Sequence, residues 1–214
     1  MMVGAWWVWP VVVLVYVVFR LWYDNWRGPL TSQEIDAFMA QIAASSTGST
    51  TEASVVRAFL EADDGKEFVM SNLVGLHTQP VAHPLTGAQA SALEVFQEYG
   101  RRFVPMLFRH GGHPLLAMRK VGGYVDSWQT PPDPGWHIVG AMRYRSRRDM
   151  MRLSQDASLK LAHPFKAVAT AVTFSFPAQV FIGFALRPRS SVALILALLA
   201  ALVHLGSLIA LLNH

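Results

Sequence analysis

The stretch Trp136–Leu161, WHIVGAMRYRSRRDMMRLSQDASLKL, holds two different backbones end to end. WHIVGAMRYR reads as a strand. Ser146 then opens a helix, with Asp149 three residues on completing a variant capping box, and Met150, Met151 and Leu153 alternate with arginines in an amphipathic pattern. Working outward, KEFVMSNLVGL reads as an earlier strand with Phe68, Met70 and Leu73 as core candidates. AQASALEVFQEYGRRFVPML is helical, and Leu93, Phe96, Tyr99 and Phe103, three and four apart, fall on one face that should cover a sheet. Gly111-Gly112 leads into the strand HPLLAMRKVGG, the proline-rich WQTPPDPG makes a loop, and a last strand is expected around Ala171 to Phe176. The resulting order is βαββαβ, the split βαβ arrangement. Upstream, Thr31 and Glu34 form a capping-box signature for a helix ending near Ala44, SSTGSTT is a link, and TEASVVRAFLEA is a second helix stopped by Asp63-Asp64-Gly65.

The two ends have another character. With 52% hydrophobic and 15% charged residues in 214, the chain is apolar for a protein wholly dissolved in water, and all 18 Lys and Arg lie between Arg20 and Arg189. Val3 to Phe19 is uncharged, and continued to Leu21 it makes a helix roughly 29 Å long, enough for a bilayer core. Trp6, Trp7 and Trp9 at one end and Trp22 and Trp26 at the other suit interfacial anchoring. Ser191 to Leu212 is a second uncharged run without proline. Arg20 and Arg27 follow the first run, and Arg187 and Arg189 precede the second. This pattern predicts a multi-pass protein of the bacterial inner membrane with both termini periplasmic and the central domain cytoplasmic. The segment Ala167 to Leu186 is also uncharged but broken by Pro177, and its first half fits a domain element. The absence of cysteine excludes disulfides, thiolate nucleophiles and cysteine metal sites, and a net charge of +4 without a recognition motif argues against nucleic acid.

LEADDGKEFVMSNLVGL, EYGRRFVPMLFRHGGHPLLA and WHIVGAMRYRSRRDMMRLSQD together resemble an uncharacterised branch of the dimeric α+β barrel superfamily, over about Phe59 to Phe176. The resemblance implies an α+β, ferredoxin-like domain that pairs sheet to sheet with a second such domain, its own or a relative's, and it implies no reaction. The expected organisation is a transmembrane helix with flanks at 1–27, a helical linker at 28–58, the ferredoxin-like domain at 59–178, an interfacial connector at 179–190 and a second transmembrane helix at 191–214.

His204 stands alone in an aliphatic run. Ala200-x-x-x-His204 resembles the histidine-bearing helix of light-harvesting α-polypeptides, which implies a tetrapyrrole ligand such as bacteriochlorophyll or haem, with Ala200 making room for the macrocycle. The alternative is a neutral imidazole hydrogen-bonded across a helix interface, with Gly206 and Ser207 allowing close approach. Asn72, Tyr99 and Arg143 are the candidates for a ligand cleft between sheet and helices. Against that stands a structural reading, in which Asn72 caps a strand end and Tyr99 packs in the core. Arg143, Arg145, Arg147, Arg148 and Arg152 form a basic cluster suited to a protein partner or anionic lipid, or else an ordinary solvated face. HGGH at His110 to His113 lacks a carboxylate to complete a metal set, so no metal ligand is assigned, and no catalytic constellation stands out. These features predict a non-enzymatic accessory or scaffold subunit of a photosynthetic or respiratory membrane complex. The alternative is a membrane-anchored small-molecule binder or enzyme of the dimeric α+β barrel superfamily acting on a lipid-soluble substrate.

Overall fold

The computed structural model describes residues 5–44, 52–182 and 187–213. Along the chain run α1 (Val8–Tyr23), α2 (Ser32–Ala44), α3 (Ala53–Glu61), β1 (Phe68–Leu76), β2 (Val81–Ala82), β3 (Gln89–Ala90), α4 (Ala92–Arg109), β4 (His113–Arg119), β5 (Ile138–Tyr144), α5 (Arg147–Ser154), α6 (Ala157–Ala169), β6 (Thr170–Ala178) and α7 (Pro188–Leu212). They fall into two units, one built from residues 27–180 and the other from both chain ends, 1–26 and 181–214.

In the 27–180 unit the four long strands form an antiparallel sheet in the order β4-β5-β1-β6. With α4 between β1 and β4 and α5–α6 between β5 and β6, this is the βαββαβ order expected from the sequence. Strand periodicity decides what faces the helices: Phe68, Val74 and Leu76 of β1 bury with Val95, Met106 and Leu107 of α4 and with Ala162 and Phe165 of α6. Each such large side chain contributes roughly 1.5–3 kcal/mol by leaving water.

Two core assignments are corrected. Leu73, an odd-numbered position among these even-numbered ones, pairs with Val139 and Phe174 on the opposite face. Leu93 is half exposed, because the buried stripe of α4 runs through Val95, Phe103, Met106 and Leu107.

The capping box forms at Thr31, and at Ser146 its N-cap half does. Thr31 Oγ1 accepts the Glu34 N–H at 3.2 Å while Glu34 Oε2 accepts the Thr31 N–H at 3.0 Å. Ser146 Oγ accepts the Asp149 N–H at 3.1 Å. The long helix expected after Ser146 is two helices, because Asp156 starts a new one by accepting the Ser158 N–H at 2.8 Å. The β2–β3 hairpin is a small addition that the sequence reading did not foresee. Nor are α2 and α3 a linker. Ile35 and Leu60 bury with Met151, which makes both helices part of the domain, whereas the expected link SSTGSTT lies outside the described residues.

In the other unit α1 and α7 run antiparallel. The Ala5 N–H donates to Ser207 Oγ at 3.0 Å, Trp9 Nε1 to His204 Nδ1 at 3.0 Å, and Arg189 Nε to Asp24 Oδ1 at 2.7 Å. α7, at 25 residues, is long and apolar enough to cross a membrane. α1 is apolar but has 16 residues, beginning at Val8 where the sequence suggested Val3. At roughly 24 Å it falls short of the ~30 Å hydrocarbon core, so the expected pair of spans reduces to one of sufficient length among the described residues. The ambiguous segment from Ala167 enters the sheet as β6, and residues 183–186 lie outside the described residues.

Candidate functional site

Helices cover one face of the sheet, and the other carries a row of apolar side chains. Register places Leu116 and Met118 of β4, Val139 and Ala141 of β5, Leu73 of β1 and Phe174 and Phe176 of β6 on this second face. Leu116, Met118, Phe174 and Phe176 are 41–51% exposed. Phe174 and Phe176 stack at 6.1 Å, and Trp136, at the end of the long β4–β5 loop, meets Phe174 edge-on at 5.1 Å. Trp136 is itself fixed by donating its indole N–H to the Tyr124 hydroxyl at 2.9 Å. Ser71 lies among them, between Ala141 and Phe176, and exposed apolar patches of this kind often mark surfaces that a partner or a membrane covers.

The proposed convergence of Asn72, Tyr99 and Arg143 does not occur, for a reason of parity. Asn72 pairs with Gly140 and Ser175 on the helix side, while Arg143 pairs with Val69 and His113 on the bare side. Asn72 is engaged by its own sheet, donating from Nδ2 to the Met70 and Gly140 carbonyls at 2.9 and 3.4 Å and accepting the Ser175 hydroxyl at 2.7 Å. Tyr99 packs against both halves of the core and stacks on Phe103 at 5.3 Å, and burial raises its hydroxyl well above the usual tyrosine range. Burial likewise pushes Tyr144 up to about 12 and lowers the Lys166 ammonium. Arg143 is 4% exposed, and its Nη1 has no hydrogen-bond partner among the described residues.

The basic cluster is largely internal. Arg148, 3% exposed, grips Glu34 through Nε and Nη2 at 2.8 and 2.9 Å and donates to the Gly28 and Pro29 carbonyls. This grip, opposed by partial burial, holds the Glu34 carboxyl at about 2. Arg145 forks onto Asp149 at 2.7 and 2.8 Å; burial pushes Asp149 up, and the Arg145 and Ser146 hydrogen bonds outweigh it and keep the carboxyl low. Arg147 donates to the Phe59 carbonyl and lies over the Phe59 ring at 4.5 Å. Of the five, only Arg152 is exposed; Arg147 and Arg148 join α5 to α3 and α2 and Arg145 braces the start of α5, so the expected lipid or partner patch is largely turned inward. Nor do His110 and His113 act together: His110 Nε2 meets Asp156 Oδ2 at 3.1 Å, and His113 Nδ1 meets the Pro114 carbonyl at 3.1 Å.

His204 sits on the seam between α1 and α7 beside Ala200, which is fully buried. An indole N–H only donates, so the Trp9 bond makes His204 Nδ1 an acceptor and leaves the proton of the neutral ring on Nε2. The Trp6 ring closes the same imidazole edge-on at 4.4 Å. A tetrapyrrole metal needs a free ring lone pair, and neither nitrogen has one in this arrangement. The residues present therefore do not fit that group, and they do suit an interhelical hydrogen bond. The remaining expected anchors, Trp6, Trp7, Trp22 and Trp26, are 53–68% exposed.

Sequence reasoning missed a cleft of about 680 Å3 at the sheet end where β1 and β4 finish and β5 begins, lined among others by Leu93, Arg119, Trp136 and His137. Its signal is faint in one dimension, because residues from four separate segments meet there.

No family model matches the chain, and no curated protein matches it. Among solved structures it is similar to RPA0582, a protein of unknown function from Rhodopseudomonas palustris determined as a structural genomics target, with 21% identity and a TM-score of 0.51 over 62% of this chain and 96% of that one. The methylated RPA0582 protein gives the same identity and TM-score over 63% and 96%. At that identity the likeness speaks to fold alone.

Proposed function

We propose that the chain is a non-enzymatic accessory or scaffold subunit of a larger membrane assembly, held in the bilayer by its two apolar helices and joined to a second sheet through the bare face of its α+β domain. The bare row of Leu116, Met118, Phe174 and Phe176 carries this reading. Two such faces packed together, about 10 Å apart, would remove the row from water, as in the dimeric α+β barrel arrangement, with a second copy or a related domain as the partner. Anchoring is supported by α7, and by the matched stretches from Trp9 to Asp24 and from Arg189 to His204, which bring α1 alongside it over equal lengths of helix. Both helices then enter the bilayer together. The basic residues at the domain side of each helix favour a bacterial inner-membrane protein with both termini periplasmic and the domain cytoplasmic. A respiratory or photosynthetic complex is the proposed host, resting on the aromatic-rich first apolar helix now that the Trp9 bond removes the pigment argument from His204.

Gentle detergent extraction followed by native mass spectrometry tests the proposal. The expected result is stoichiometric co-purification with a neighbour or second copy, lost in a Phe174→Ser/Phe176→Ser variant that still fractionates with the membrane. A wild-type chain that leaves the membrane as a lone protomer, or that appears in the soluble fraction without detergent, overturns it.

A further inference from the structure

The cleft at the sheet end has the size of a small-molecule site, which typically spans roughly 300–1,000 Å3. Its walls are mostly apolar, with Leu76 and Ile138 from the strands, Leu93 from α4 and the Trp136 ring from the loop. Polar side chains also line it, His77, Thr78, Gln79 and Gln89 among them, and two donors matter most for an anion. Arg119, at the exposed end of β4, makes no hydrogen bond or ion pair with any described residue, whereas its neighbour Lys120 is neutralised by Asp133. His137 is the second. The register shift at Gly75/Leu76 frees the Leu76 N–H from the ladder, and that N–H donates to His137 Nδ1 at 3.1 Å. The His137 backbone is held as well, its N–H donating to the Val74 carbonyl at 2.9 Å and its carbonyl accepting the Lys120 N–H at 2.9 Å. With Nδ1 accepting, the neutral ring carries its proton on Nε2 as a fixed donor with no partner among the described residues. The one carboxylate on the cleft wall, Glu94, is spent on the Ser91 capping box, bonding the Ser91 N–H at 3.1 Å and hydroxyl at 2.8 Å.

We infer that this cleft binds a small carboxylate with an apolar tail, the carboxylate meeting Arg119 and His137 Nε2–H and the tail lying between Trp136, Leu93 and Ile138. The charge inventory favours a monoanion. One guanidinium is uncompensated, its planar fork matches a carboxylate, and the nearby Glu94 charge opposes a second negative charge such as a phosphate dianion would bring. The inference does not rest on the scaffold reading, although the Trp136 ring is shared between the cleft wall and the bare row through its contact with Phe174.

Fluorine NMR of para-fluorobenzoate titrated with the full detergent-solubilised chain tests it, with para-fluorobenzyl alcohol as the uncharged probe and the same detergent in every sample. The wild type should give saturable broadening for the carboxylate, at least about tenfold tighter than for the alcohol. Arg119→Gln should weaken carboxylate binding about tenfold while leaving the alcohol unchanged. Leu93→Trp, which fills the cleft from an exposed position, should abolish both. Arg101→Gln, on exposed α4 surface, should behave as wild type. No saturable carboxylate signal, equal affinity for the alcohol, indifference to Arg119→Gln or survival of binding in Leu93→Trp would each overturn the assignment.

Discussion

In the 27–180 unit the side chains removed from water are Leu60, Val95, Leu107 and Phe165, and Arg148 and Asp149 go inside paired, with Glu34 and Arg145, while Arg143 is buried without an ion pair among the described residues. In the two-helix unit the order is reversed. Leu194, Ile195, Leu198 and Leu199 are more than half exposed, while Trp9, His204 and Ser207 meet between the helices around the fully buried Ala200. Burying leucine is favourable only when the alternative is water, and between helices immersed in hydrocarbon the driving force passes to close packing of small residues and to interhelical hydrogen bonds. One chain thus carries two opposite burial patterns, and the bilayer location proposed for the helix pair would account for the second.

The largest expected effect contrasts one leucine from each unit. Leu107→Ala removes a fully buried side chain from the contact between α4 and the sheet and should cost about 3–4 kcal/mol, whereas Leu198→Ala, 61% exposed, should cost less than about 0.5 kcal/mol. Urea unfolding of the detergent-solubilised chain, followed by near-ultraviolet circular dichroism for the domain and far-ultraviolet helicity for the helix pair, measures both. Equal costs would break the comparison, because they would mean that α7 buries Leu198 against protein.

Next in size is the acid response of the domain. Glu34 has its folded-state pKa lowered from 4.5 to about 2 by Arg148, so its contribution to stability is complete above the unfolded value and is lost as pH falls from about 4.5 toward 2. The shift corresponds to about 3 kcal/mol, and Glu34→Gln should remove most of that acid dependence while lowering stability at neutral pH. Denaturation midpoints of wild type and variant, measured between neutral pH and pH 3, give the result directly. Parallel pH profiles would show that the Arg148 grip contributes nothing to folding.

Much of the domain was legible because strand and helix periods are local. The capping signatures at Thr31, Ser146 and Asp149, the turn at Asp63-Asp64-Gly65 and the βαββαβ order all appear in the structure. What failed depended on parity or on partners far away in sequence. A step of one residue decides which face a strand side chain takes, and that step separates Arg143 from Asn72 and puts Leu73 on the bare face. The basic cluster looked like a surface because its acids are distant in sequence; Glu34 lies 114 residues before Arg148, and no local window joins them. Asp156 as a helix start was readable, and its cue was overridden by the amphipathic run on either side. For His204 the aliphatic context revealed an unusual ring, while its role depended on Trp9 at the other end of the chain.

The smallest effect tests that last contact. Between helices in an apolar medium a side-chain hydrogen bond is worth about 0.6 kcal/mol on average, because the separated helices also find partners. A double-mutant cycle of Trp9→Phe and His204→Leu, read from helix-pair dissociation in a mild-to-harsh detergent titration, should therefore give a coupling of about 0.5–1 kcal/mol. Nitrogen NMR of the labelled imidazole supplies the companion measurement. In the wild type the ring should stay in the Nε2–H form, with Nδ1 shifted as a hydrogen-bonded acceptor, and Trp9→Phe should remove that Nδ1 shift. If instead the coupling vanished and Nδ1 carried the proton, leaving an Nε2 lone pair, the seam would be free to hold a metal. His204 would then return to the ligand role that the Trp9 bond now denies it.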